Sequence, residues 1–281
     1  MKVLPFKIQK SATASLLVQL DAGMSFYQRL HSHEDIQISI FEKGSGTYVI
    51  GNDLGVFSAG DVFIIGGQIP HVFKINEFDK DTVKMRSIFF TQTTFGSDFF
   101  DLPEMGFLKK LFFNQDFAYK LSDNTAIILK TFKTLSQVNV YEKIIVFLKL
   151  LKLISNTSLK ILRTTNVVKR LSESSGKRMD AVYQYVFKNF KSAIQLEKVA
   201  AIAAMSKPAF CRYFKQQTNK TFVQFLNALR IGEACNLLQN KEAAIQTICY
   251  HSGFNNLANF NRTFKAIKGL SPSEYRKSLI V

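Results

Sequence analysis

The alternation of hydrophobic and polar residues changes character near residue 100. Before it, short apolar or alternating runs dominate, as in DIQISIFEKGSGTYVIG and GVFSAGDVFIIGG, each bounded by Gly, Asp or Asn. Runs of this kind predict β-strands, and their spacing without helical periods between them predicts a small barrel or sandwich. From about residue 104 apolar positions recur every three or four residues. EMGFLKKLF, NTAIILKTFKTLS and VYEKIIVFLKLLKLIS are therefore expected helices. The last sets Tyr141, Ile144, Leu148 and Leu151 at a 3-4-3 spacing. Such a seam suits either packing on the chain's own strands or contact with a second copy. RTTNVVKRLSESSGKR (163–178) is polar, Ser-rich and basic, and reads as a linker into an all-helical domain.

That helical stretch contains a repeat. Phe210, Arg212, Phe214 and Lys215 recur 50 positions later as Phe260, Arg262, Phe264 and Lys265, and Phe225 recurs as Tyr275. Asn219 stands where the second copy has Gly269, and both residues tolerate the left-handed backbone of a tight turn. Ser206 is an expected N-cap with Pro208 in the first turn, and SPSE (271–274) has the form of a capping box. At 100° per residue, each phenylalanine pair defines an inward face, which also takes in Leu257 in the second copy. Pro208, Cys211, Arg212 and Lys215 fall on the outer side of copy one. Ala258, Asn261, Arg262 and Lys265 fall on that of copy two. A short helical pattern precedes each copy, LEKVAAIAA (196–204) and AAIQTICYHS (243–252). The result is a helix-turn-helix in duplicate, a motif whose second helix enters a DNA major groove. Two units would address two groove segments about 34 Å apart, with residues 221–239 as a rigid spacer.

Charge sharpens this picture. Residues 1–150 carry 16 Lys and Arg against 15 Asp and Glu, whereas residues 151–281 carry 21 against 6. Nearly all of the net +16 lies in the second half, which points to a polyanionic partner, nucleic acid before an anionic membrane surface. Cys211, Cys235 and Cys249 lie on helical patterns without metal-ligand spacing, as expected in a reducing compartment. The start of the chain has no sustained apolar core, and the longest apolar stretch, IIVFLKLLKLI, is short and broken by lysine. A cytoplasmic protein without a membrane partner is expected.

The string GF…F.R.FK…G.SP.EYR resembles the signature of the AraC/XylS family of bacterial transcription regulators, and A.MS…F.R.FK resembles its first helix-turn-helix. The resemblance covers about residues 178–279. It implies a DNA-binding domain of about seven helices that acts on promoter DNA and, in activators, touches RNA polymerase. The base-reading positions it implies are Pro208, Cys211 and Arg212 in one helix, and Leu257, Ala258, Asn261 and Arg262 in the other. Over roughly residues 20–90, HSHED, GSGTYVIG and SAGDVFIIGGQIPH resemble the two motifs of a cupin barrel, the common effector-binding domain of that family. His31, His33 and His71 would occupy three of the four metal places of metal-binding cupins, with Gln37 at the carboxylate place. They are read as effector-contacting or hydrogen-bonded structural residues near the mouth of an aromatic-lined pocket; three neutral imidazoles can also hold Zn²⁺ or Fe²⁺.

The expected fold is thus α+β in two domains. Residues 1–160 form a cupin-like β-barrel with trailing helices for effector binding and dimerisation, 161–177 a linker, and 178–281 a double helix-turn-helix domain. The expected function is sequence-specific transcription regulation by a homodimer that responds to a small-molecule effector bound in the N-terminal domain, with no catalytic residues and no cofactor. The alternative is a cupin-type metal-binding protein or metalloenzyme with an appended DNA-binding domain.

Overall fold

The computed structural model describes residue 8 and residues 15–23, 26–113, 117–121, 123, 125–163, 173–239 and 242–279. Strands β1 (Leu17–Ala22), β2 (Ile36–Lys43), β3 (Gly46–Ile50), β4 (Asp53–Phe57), β5 (Val62–Ile65), β6 (His71–Ile75) and β7 (Lys84–Phe90) come first. The three expected helices follow as α1 (Gly106–Phe113), α2 (Thr125–Leu135) and α3 (Val140–Ser155). Two further strands, β8 (Phe117–Leu121) and β9 (Leu159–Arg163), are interleaved with them. The helical region then comprises α4 (Glu173–Asn189), α5 (Leu196–Ile202), α6 (Lys207–Thr218), α7 (Phe222–Leu237), α8 (Ile245–His251), α9 (Leu257–Lys268) and α10 (Pro272–Ser278). Of the expected linker, residues 161–163 lie in β9 and 173–177 in α4, while 164–172 fall outside the described residues.

The strands form two antiparallel sheets, one ordered β1-β7-β2-β5-β8-β9 and the other β4-β3-β6. The pattern of β2, IQISIFEK, shows why the larger sheet is covered on both faces. Ile36, Ile38 and Ile40 join Phe112, Phe132, Phe147 and Leu150 in a core beneath α1, α2 and α3. Phe41 points the other way, into a second core between the sheets, where its ring stacks on Phe57 at 3.9 Å. Strand periodicity puts Gln37 and Ser39 on that inner side, and both are buried.

The outer face of the small sheet packs on the helical region. Leu30, Val49 and Val72 share a continuous core with Met179, Val182 and Val186 of α4 and with Phe225 and Leu229 of α7. Helix α7 approaches the sheet so closely that a Cβ on Gly232 would lie 2.7 Å from Val56 Cγ1. Glycine inside a helix costs about 1 kcal/mol relative to alanine, a cost offset here by the packing it permits. Polar contacts frame the seam. Asp180, itself 1% exposed, accepts from Arg29 Nη2 at 2.8 Å and from the main-chain nitrogen of Leu30 at 3.0 Å. Lys220 Nζ donates to the carbonyl of Asn52 at 2.7 Å.

The α3 seam divides differently from its sequence spacing. Leu151 is buried with Phe147, Leu150 and Ile154, so it belongs to the face that covers the sheet. Val140, Tyr141, Ile144, Ile145 and Leu148 are exposed on the other side. Because the helix is apolar nearly all round, spacing alone does not separate the two stripes.

Candidate nucleic-acid interface and histidine cluster

The two helix-turn-helix units are built alike. In the first, α5 leads through a turn to α6; in the second, α8 leads to α9. Each turn holds one left-handed residue, Ala204 at φ 51° and Gly253 at φ 94°. Phe210 and Phe214 are fully buried with ring centroids 5.5 Å apart, and Phe260 and Phe264 repeat the arrangement at 5.7 Å. Phe225 closes the first pair at 5.3 Å from Phe214, and Tyr275 closes the second at 5.5 Å from Phe264. Both helices stop at the expected left-handed caps, Asn219 and Gly269. Ser271 and Glu274 form their capping box. Thr221 and Gln224, 50 residues earlier, form another at the start of α7 that the TxxQ spelling did not bring out. Ser206 is an N-cap by backbone geometry without a side-chain hydrogen bond.

With the phenylalanines inside, the opposite sides face solvent. Pro208, Cys211, Arg212 and Lys215 are all exposed on α6, and Ala258, Asn261, Arg262 and Lys265 are all exposed on α9. Leu257 also belongs to the open side at 36% exposure, contrary to its inward placement by helical angle. As the first residue of α9 it has no preceding turn to cover it. One positioning residue escaped the sequence reading. Asn256 caps α9 by accepting from Asn259 N at 2.9 Å, and Asn259 Oδ1 in turn accepts from Arg262 Nη2 at 3.1 Å. The first copy has Ala209 at the corresponding position, so Arg212 lacks that tether.

Helix α7 joins the units. Its first half supplies Phe222, Phe225, Leu226 and Leu229 to the core of unit one. Its second half supplies Ile231, Ala234 and Cys235 to that of unit two. Sixteen residues of helix span about 24 Å, so α7 is a stiff spacer rather than a tether. Cys235 and Cys249 are buried core residues, and Cys211 is exposed.

In the β region, His31, His33 and His71 come together, each with a candidate ligating atom within 4.8 Å of the others. All three are buried rather than at a pocket mouth. Burial holds His31 down at about 4 and His71 well below the usual imidazole range. Gln37 Oε1 lies 3.1 Å from His33 Nε2 and 3.0 Å from His71 Nε2. Between the sheets Phe41, Phe57, Phe63 and Phe73 pack ring on ring. A cavity of ≈ 480 Å³ lies between Thr47 and Lys74 of the strands, Asn76 just after β6, and Gln184, Lys188 and Glu233 of the helices. Among the described residues, no helix is long and apolar enough to cross a membrane.

A family model described as a helix-turn-helix domain matches residues 199–278. An uncharacterised helix-turn-helix-type transcriptional regulator of Bacillus subtilis, YdeC, is 30% identical over 100 residues, or 36% of this chain and 34% of that protein. The helix-turn-helix-type transcriptional activator RhaR of Mannheimia succiniciproducens is 23% identical over 254 residues, 89% of this chain and 88% of that one. Among solved structures, the C-terminal domain of AraT, a response regulator of Geobacillus stearothermophilus, is 31% identical over 39% of this chain and 88% of its own, with a TM-score of 0.35. The chain thus spans about a third of the first curated relatives it matches, 34% and 32% of their lengths, and most of RhaR. With its duplicated Phe-x-Arg-x-Phe-Lys helices, its GLSPSEYR ending, the family-model match and the likeness to YdeC and RhaR, the helical half of the chain is a helix-turn-helix domain of the AraC/XylS family of regulators.

Proposed function

We propose that this chain is a cytoplasmic, sequence-specific transcription regulator. Residues 178–281 bind promoter DNA, 161–177 connect, and 1–160 form a cupin-like unit that binds an effector and self-associates. The observation that carries the proposal is the pair of equivalent exposed faces on α6 and α9, each backed by a buried phenylalanine pair. Arg212, Lys215, Arg262 and Lys265 supply charge for phosphates and guanine edges, and Asn261 suits adenine. Pro208, Cys211 and Ala258 supply apolar or van der Waals contact of the kind thymine methyls accept. The net +15 of residues 151–281 adds the attraction to duplex that any such reader needs. The names of the relatives, regulator and activator, support regulation rather than catalysis, with contact to RNA polymerase if this chain activates.

Selection of duplexes from a random-sequence pool tests the reading. A defined motif should emerge, bound about 10³-fold or more tighter than unselected duplex at moderate salt. No motif, or binding to RNA as tight as to the selected DNA, contradicts it.

Self-association is assigned to α3. Five large apolar side chains exposed on one helix, Tyr141 at 80% and Ile145 at 55% among them, exceed the scattered apolar residues of an ordinary surface. A second α3 packed against this stripe would bury them in the manner of a short coiled coil. Sedimentation should show a dimer that Ile145→Glu converts to folded monomer. A wild-type monomer at high concentration would remove this assignment.

A further inference from the structure

His31, His33 and His71 form a site that DNA binding does not use. His31 and His71 are locked opposite each other by two main-chain hydrogen bonds, of 3.1 and 2.8 Å. In every ring Nδ1 lies 2.8 Å from a main-chain carbonyl, those of Arg29, Asp35 and Ile69. A carbonyl only accepts, so each Nδ1 carries the hydrogen, and a neutral ring then presents a lone pair at Nε2. The same arrangement, Nδ1–H on a main-chain carbonyl, orients imidazoles that ligate metals.

Donor and acceptor accounting makes the centre of the cluster specific. The Gln37 side-chain oxygen, also an acceptor, faces Nε2 of both His33 and His71. The amide NH₂ is directed away, to Ser39 Oγ at 2.7 Å, and that hydroxyl lies 2.7 Å from Ser87 Oγ. Acceptors facing acceptors at this depth repel unless a cation lies among them, a ring gains a second proton, or the amide turns over. A second proton costs solvation in a buried ring. The turned amide is the competing arrangement, because the two serine hydroxyls can adapt to it.

We propose that His31, His33 and His71, with the Gln37 oxygen as fourth ligand, bind a divalent first-row transition-metal ion, and that this ion is the effector. This rests on the reading of residues 1–160 as the effector-binding half. Three imidazoles and a neutral oxygen suit Zn²⁺, Fe²⁺ or Co²⁺, whereas Mg²⁺ and Ca²⁺ require more oxygen and more charge.

The site reaches the DNA-binding half through one short segment. The Arg29 carbonyl holds His31, while the Arg29 guanidinium is bonded to Asp180 on α4. Leu30 donates its N–H to the same carboxylate and buries its side chain against Met179 and Val182. The Gln28 carbonyl accepts from Gln184 of α4 at 2.8 Å. Residues 28–31 therefore both dock α4 and carry a ligand. An ion about 2.1 Å from each nitrogen would draw the ligating atoms, which lie within 4.8 Å of one another, to tetrahedral separations of about 3.4 Å. That displaces the strap on which α4 rests and shifts the balance between docked and released DNA-binding halves.

The test uses the full chain, purified without a histidine tag and stripped with chelator. Titration with Co²⁺, followed by visible absorbance, and with Zn²⁺, followed by calorimetry, should show one ion per chain. His71→Ala should lose it. Gln37→Glu, which supplies a carboxylate, should bind about tenfold tighter or more, a gain that a damaged fold does not give. Zn²⁺ should change affinity for the pool-selected duplex by about fivefold or more. Asp180→Ala, or Arg29→Ala should the first fail to fold, should keep the metal and lose that change. Absence of saturable binding, or binding indifferent to both His71→Ala and Gln37→Glu, overturns the site and leaves the DNA reading standing. Metal binding without effect on DNA affinity overturns the effector role, and an effect that survives Asp180→Ala and Arg29→Ala overturns the route. Failure of every form to prefer the selected duplex instead overturns the function proposed above.

Discussion

Phe264→Ala should cost about 3–5 kcal/mol and melt the second helix-turn-helix unit while the rest of the chain stays folded. Phe264 is fully buried between Phe260 and Tyr275, in a small core that also holds Ile248, Cys249 and Phe254. Truncation there leaves a ring-sized cavity that short helices α8, α9 and α10 have little other apolar surface to offset. The remaining structure does not depend on it, because the first unit belongs to a different core, shared with Leu30, Val49 and Val72. Chemical denaturation should split into two transitions, and limited proteolysis should begin beyond about residue 240 and spare the β region. Phe214→Ala makes the complementary case. Its cavity opens in the core that holds the two halves together, so it should loosen α4 and α7 from the small sheet as well. A single transition for Phe264→Ala, lowered by less than about 1 kcal/mol, would show that the second unit has no separate core.

The parts of this organisation that were legible in the sequence are those set by local chemistry. Paired phenylalanines four apart, a left-handed cap residue and a capping box are contained within one helix or its ends, so the 50-residue repeat could be read directly. What escaped depends on partners distant in the chain. FAYKL and LKILR are five-residue strands among helices, and their identity comes from pairing with β5 and with each other. Asp180 looks like any acid on a helix until Arg29 and Leu30 arrive from 150 residues away. Leu30, Val49 and Val72 read as ordinary sheet residues, and nothing local says that their outer side meets another half. The histidines and Gln37 were legible as a group through the cupin resemblance, but their burial and the contact of Gln37 Oε1 with two of the rings come only from the folded strands. Gly232 gave no signal at all, since its role is a distance to Val56.

Arg212→Ala and Arg262→Ala should each weaken binding to the selected duplex by about 1–3 kcal/mol, roughly 5- to 150-fold, without a change in thermal stability. Both side chains are exposed on faces that contribute nothing to the two cores, so their removal leaves no cavity. Their effects should differ in kind. Asn259 holds Arg262 in a fixed direction, which favours reading a base edge, so its loss should relax sequence preference. Arg212, without that tether, is expected to retain sequence preference when removed and to lower the salt dependence of binding, as a phosphate contact does. The double variant should lose the product of the two factors, because the sites lie in separate units.

Interference footprinting on the selected duplex addresses the double-reader geometry most directly. Two patches are expected in successive major grooves on one face of the DNA, about 10 base pairs apart, with Arg262→Ala losing base contacts in one and Arg212→Ala losing a phosphate contact beside the other. A single patch, or two patches that both variants leave intact, would mean that α6 and α9 are not the paired readers described here.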